Sequence, residues 1–282
     1  MQVGVLLFMI GSLAGVGLRV APRDAIQPLK HGRFLAISLI TCWLVCPLAA
    51  VFVLWAVPLA QPYAAGLLLL SLAPCAPFAP AMVKIARGDT SYLAAFMVFS
   101  ALTTVIFMPI GVPLLLGVSI SAWRIAQPLL LFVLVPLVAG MTISALNPRA
   151  AAWLRPIVEK LTAAAALAMF VPIVVLYGPG IVSAVGERAI LAQAMFLLVV
   201  TIVAHVVGSA LRDDQRSVVT LGICTRNLGA ALAPVSAVAE DERGVVMIAI
   251  GAIATLVWSA IVARRLGRGA AASTAVPGLS AH

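Results

Sequence analysis

Acidic side chains are scarce in this chain. It carries nine Asp and Glu in 282 residues, and charged residues of both signs together make up 10%. Soluble domains average about 25% charged residues, so this composition excludes an ordinary water-soluble fold. No acid lies in the middle of an apolar run. Asp24, Asp89, Asp213, Asp214, Glu240, Asp241 and Glu242 sit in connecting stretches, and Glu159 and Glu187 lie at run ends. Also missing are a His-Glu-x-x-His helix, a glycine-rich phosphate loop, an intramembrane Asp pair and any Ser/His/Asp set at compatible depths. No constellation points to an enzyme. Period-two alternation is absent as well: the apolar runs extend for about 18–25 residues, which suits membrane helices and excludes a β-barrel.

The four cysteines, Cys42, Cys46, Cys75 and Cys224, all fall within apolar runs. That placement fits small buried residues or site thiols, and excludes a secreted disulfide framework. The net charge of +9 is scattered between the apolar runs and forms no basic face. Nucleic acid is therefore not a partner.

What the chain does have is apolar length, with 63% hydrophobic residues and a mean hydropathy of +1.17. It reads as an all-α polytopic membrane protein whose environment is the lipid bilayer. Hydropathy places about nine transmembrane helices, near residues 3–18, 34–56, 64–86, 91–117, 123–145, 156–178, 188–211, 217–239 and 244–263. The first run passes into a basic loop without a small-residue cleavage pattern, so no cleavable signal peptide is expected. Residues 266–282 read as a disordered cytoplasmic tail. Lys and Arg are strongly one-sided in the loops. Arg124, Arg188 and Arg243 fall on one side, Arg226 falls inside a run, and all the others fall on the opposite side. The positive-inside rule puts that basic side in the cytoplasm, with the N-terminus outside and the chain in the plasma (inner) membrane.

Arg226 is the singular residue. It lies in Val218–Val238, a run about one bilayer long with no other charge. An arginine at the centre of such a helix costs roughly 2.5–3.5 kcal/mol on insertion scales, so it normally faces a cavity, a partner or a substrate. Gly222, Gly229 and Pro234 weaken the helix that carries it. A second run is interrupted too: Pro74, Pro77 and Pro80 release the carbonyls of Leu70, Ala73 and Ala76 from their usual helical donors. Free carbonyls at membrane depth are tolerated only when buried in protein or lining a water-filled cavity.

The two interrupted segments, Leu69–Asp89 and Thr220–Arg243, share a Leu-x-x-Cys step (Leu72 to Cys75, Leu221 to Cys224). Each ends in a charged loop followed by another apolar run. An odd number of crossings separates them, so they run in opposite directions, the pattern of an inverted repeat over residues 1–117 and 118–265. Both readings of Arg226 stay open here: an attractor for an anionic substrate group, or a tie that holds the interrupted segment together. Asn227, Thr225 and Pro77 are the neighbouring candidates for a substrate cavity. His205 reads as a structural hydrogen-bonding residue, and Gly11 and Gly15 as a close-packing pair. Lys84 and Arg87 read as positive-inside anchors or as guides for anions at the inner mouth.

Three stretches, GLRVAPRDAIQPLKHGRF, ARGDTSYLAAFMVFSALTTVIFMP and ICTRNLGAALAPV, resemble the bile acid:sodium symporter family of organic-anion carriers. The resemblance covers residues 3 to 265. It implies an inverted-repeat transporter fold in which two broken helices cross, with core and panel domains; read onto this chain, the family's first panel helix is missing. It also implies two Na⁺ ions behind the crossing, and here the ligand pattern departs. The family's Ser-Asn pair aligns with Ala79 and Pro80, its Glu with Gly222, and its two Gln with Arg226 and Cys42. Ser100, Thr104 and the adjacent Thr103 remain as oxygen donors, and Asn227 is retained near the substrate.

Sodium needs oxygen ligands and some offsetting negative charge, so this set implies that the usual sodium sites are lost. The expected function is secondary transport of a small organic anion by alternating access, with altered or absent sodium coupling. Two other readings stand beside it. The Ala-Pro-Cys step is similar to arsenite efflux carriers, which would give Cys75 and Cys224 a thiol role toward a soft metalloid. A non-transporting ligand sensor is the other. No resident cofactor or metal is implied, and oligomeric state is left open.

Overall fold

The structure, a computed structural model, describes residues 2–20, 28, 30–235 and 243–274. The loop residues Arg23, Asp24, Glu240, Asp241 and Glu242, and residues 275–282, lie outside them. Among the described residues the regular structure is helical, apart from one isolated antiparallel bridge between Pro74 and Arg226.

In chain order the elements are α1 (Gln2–Arg19), α2 (Gly32–Ala56), α3 (Gln61–Ser71), α4 (Ala79–Ile85), α5 (Thr90–Leu116) and α6 (Ala122–Leu146). After them come α7 (Pro148–Gly186), α8 (Ala189–Val207), α9 (Asp213–Cys224), α10 (Leu228–Leu232) and α11 (Arg243–Thr274). Helices α2, α5, α6, α8 with its continuation to Ala210, and α11 are each long and apolar enough to cross a bilayer. The protein is thus an all-α polytopic membrane protein. The remaining apolar runs are carried by the shorter α1, by α7, and by two interrupted pairs, α3/α4 and α9/α10. One expectation is corrected. Helix α11 continues to Thr274, so residues 266–274 are helical rather than a disordered tail.

Helix α2 contains a π turn at Thr41–Val45, and α6 one at Leu130–Leu134. Each turn is followed closely by a proline, Pro47 or Pro136, which cannot donate to the helical ladder. Widening the turn accommodates the lost bond: Cys46 N–H reaches back to Thr41 O, and Val135 N–H to Leu130 O.

Glycine sets how closely α1 docks. At the α1–α6 crossing Gly17 faces Gly140, and a Cβ on either would overlap the other helix's backbone. Gly11 lies against the Thr162 hydroxyl of α7, as its small-residue spacing predicts. Helices α1, α6 and α7 pack on one another, while α3 packs on α11 and α9 on both α5 and α8.

Loop ends assigned to one side by charge also meet in space. Arg19 pairs with Glu159 at 2.8 Å, Arg212 with Asp89 at 3.6 Å, and Arg33 donates to Ala210 O at 3.4 Å. At the opposite end Arg243 approaches Glu187 at 4.0 Å.

Candidate functional site

The two interrupted helices cross, and each satisfies the other's backbone. Cys75 N–H is shared between Thr225 O at 2.9 Å and Gly222 O at 3.1 Å, and Asn227 N–H donates to Ala73 O at 2.9 Å. Ala76 N–H donates to the Thr225 hydroxyl at 3.3 Å. The carbonyls freed by the three prolines are therefore all taken. Leu70 O accepts from Ala73 N–H, Ala73 O from Asn227, and Ala76 O from Ala79 N–H. This is how non-helical backbone survives at membrane depth, buried in protein and paired across the crossing. Cys75 adopts a left-handed conformation with φ 64° to make the turn, a strained choice for a residue with a side chain.

Arg226 lies at this crossing with 0% of its surface exposed. Its guanidinium donates to Ser71 O at 3.4 Å and to Cys46 Sγ at 3.1 Å, and stands 5.0 Å over the Phe196 ring of α8. Among the described residues its Nε has no hydrogen-bond partner, and no carboxylate lies within ion-pair distance of the guanidinium. An aromatic face and a carbonyl thus stand in for a counter-ion. Thr225 is equally buried; its hydroxyl donates to Leu221 O at 2.8 Å. Neither residue lines the cavities described below; in this conformation both are packed into the crossing.

Asn227 and Pro77 do face such a space. With Cys75 and Ser100 they line a cavity of about 10 Å³, room for about one water molecule. The Asn227 side chain also caps α10, accepting from Ala230 N–H at 3.1 Å. Cys224 is separate: it is fully buried, its thiol faces Leu221 O at 3.6 Å, and it lines none of these cavities. Among the described residues no group of three His, Cys, Asp or Glu side chains is placed to hold a metal ion.

A Cβ at Gly222 would overlap the Phe96 ring of α5. Ser100, Thr103 and Thr104 all donate to their own helix, to Met97 O at 3.0 Å, Phe99 O at 2.8 Å and Ser100 O at 2.6 Å. Ala79 and Pro80 open α4, and Cys42 is fully buried on the π turn of α2.

Two larger cavities adjoin the small one. One of about 330 Å³ shares Pro77 and Val16 with the small cavity, and one of about 390 Å³ shares Val16 and Met97. They extend to the basic end of the bundle, where Arg19 lines both and Lys84 and Arg155 line the second. Phe96, Phe196 and Cys46 are the site residues that sequence reasoning misses. Each is one apolar residue among many in its run, and only the approach of another helix distinguishes it. His205 accepts at its carbonyl from Arg216 Nε at 2.8 Å, and its ring lies 3.4 Å from the Thr220 hydroxyl.

A family model described as the Sodium Bile acid symporter family matches residues 5–186, more than half of the chain. No curated protein matches it.

Proposed function

The chain belongs to the sodium bile acid symporter family, and we propose that it carries small organic anions by alternating access, with the ordinary sodium coupling altered or absent. The observation that carries this reading is the crossing itself: paired unwound backbone at Cys75 and Asn227, with cavities between it and one end of the bundle. Broken helices that meet at the midplane are where inverted-repeat carriers build their substrate site. The residues 1–117 and 118–265 are the two repeats in this reading. Helices α1, α6 and α7 form the panel against which the rest of the bundle rocks, and Asn227 and Pro77 meet the substrate where it closes on the crossing.

The sodium reading follows from charge and space. A cation site needs oxygen ligands and a compensating carboxylate. Here Phe96 packs against Gly222, the position aligned with the family's carboxylate, Arg226 adds a fixed positive charge, and the hydroxyls of Ser100, Thr103 and Thr104 are turned to their own backbone. No transport step is assigned to sodium. Arg226 acts as a resident cation that stabilises the crossing through Ser71, Cys46 and Phe196.

The one-sided loops support a cytoplasmic basic end, with the N-terminus outside in the plasma membrane. The cavities that reach Arg19 and Lys84 are then open toward the inside.

Counterflow of a radiolabelled organic anion in proteoliposomes tests the function. Exchange at equal rates in sodium and potassium buffers is expected. A large acceleration by sodium would overturn the coupling claim, and saturable binding without any exchange would favour a ligand sensor.

A further inference from the structure

The cavity of about 390 Å³ collects three cations from three helices: Arg19 of α1, Lys84 of α4 and Arg155 of α7. Thr90 and Ser91 also line it, and the rest of its wall is apolar, with Val16, Leu93 and Met97 among them. Residues that serve only to anchor loops in the cytoplasm gain most by spreading into water and lipid headgroups. Three like charges lining one space repel one another, and the repulsion is relieved when an anion enters.

One carboxylate already answers part of that charge. Glu159 accepts from Arg19 Nη2 at 2.8 Å and from Arg155 Nε at 3.0 Å. A single acid shared between two guanidiniums leaves a positive surplus there. Lys84 adds to it, because it has no carboxylate within ion-pair distance among the described residues. Among the described residues, the three cations and the acid paired with two of them leave a surplus of two charges, in a space that shares the walls Val16 and Met97 with the cavity at the crossing.

We infer that Arg19, Lys84 and Arg155 form an anion-binding site at the inner mouth of this path, one that takes a doubly charged acidic head group such as a phosphate monoester while the ligand's apolar body lies along Val16, Leu93 and Met97. The site's place in transport rests on the carrier reading above; its binding chemistry does not. A dianion gains about twice the Coulomb attraction of a monoanion from the same cations, and partial exposure screens both. Glu159 lowers affinity, because its charge competes for the same two guanidiniums.

The test is titration calorimetry on the chain in nanodiscs of neutral lipid, with phenyl phosphate and benzoate as probes that share an apolar ring and differ in charge. Phenyl phosphate is expected to bind about tenfold more tightly than benzoate, with the difference shrinking as salt rises. Lys84→Gln and Arg155→Gln should each weaken phenyl phosphate about three- to tenfold and benzoate less. Glu159→Gln should tighten it, a gain that misfolding would not produce. Equal affinities for the two probes, or no effect of Lys84→Gln, would overturn the site. Counterflow of benzoate separates the two readings: this binding pattern without exchange leaves the site standing and removes the carrier, while exchange without the charge dependence does the reverse.

Discussion

The Arg226 guanidinium stands 5.0 Å over the ring of Phe196, in a place from which solvent is fully excluded. With no carboxylate nearby among the described residues, the ring's negative face is a main source of compensation for that charge. A desolvated cation–π contact contributes about 2 kcal/mol. Phe196→Leu should therefore destabilise the protein by roughly that amount, and by clearly less in an Arg226→Gln background. Thermal unfolding of the four proteins in detergent measures the coupling. Equal losses in both backgrounds would mean that the ring serves only as packing.

Gly222 and Phe96 occupy one volume between them. Adding a methyl group at Gly222 forces it into the ring of Phe96, which lies fully buried and cannot swing away. Overpacking of this kind costs about 1–3 kcal/mol. Gly222→Ala is expected to lower the melting temperature, and Gly222→Ala combined with Phe96→Leu to recover part of the loss. A double variant no better than the sum of the singles would refute the steric account.

Asn227 has two separable tasks, capping α10 through its side-chain oxygen and facing the small cavity. Asn227→Ala should lose both, with about 1 kcal/mol of stability from the missing cap. Asn227→Asp keeps a capping oxygen and so should melt near the wild type, yet it places a negative charge at the small cavity, on the path proposed for the anion. Its counterflow rate should fall at least as far as that of the alanine variant. Full transport by Asn227→Asp would remove Asn227 from the substrate path.

Asp214 opens α9 at the basic end of the bundle. Burial raises its pKa, but hydrogen bonds from Arg212 and from the Gln215 N–H, with the charge of Arg212, outweigh burial and hold it below the usual carboxylate value. A lowered folded-state pKa contributes stability above the unfolded value and loses it as pH falls through the folded one. Melting temperatures should therefore drop on acidification below the ordinary carboxylate range, and Asp214→Asn should flatten that acid limb. The pair is partly exposed, so the effect is small and shrinks with salt. An acid limb unchanged in Asp214→Asn would assign it to other carboxylates.

Much of the fold was legible because each signal is local. A proline removes a donor wherever it stands, so Pro74, Pro77 and Pro80 announced an interrupted helix. Apolar runs of bilayer length announced the membrane. The hydroxyls of Ser100, Thr103 and Thr104 turn back to their own helix, as hydroxyls in such helices do. The end of α11 was misread because small residues such as those at 269–274 suit a helix as readily as a flexible tail. The three cations around one cavity were visible only as members of a basic side, since nothing local joins Arg19, Lys84 and Arg155.

The sequence by itself determined that this chain spans a membrane, that two of its helices break, and that one arginine lies at one of the breaks. Those conclusions follow from the cost of placing charge and unpaired backbone in hydrocarbon, which any arrangement of the helices must meet. The tertiary structure alone decided how the cost is met. Thr225 and Asn227 pair with Cys75 and Ala73 across the crossing, and Arg226 stands against Phe196 and Cys46. Which residue completes a buried donor depends on distances between segments far apart in the chain, and composition and spacing carry no record of those distances.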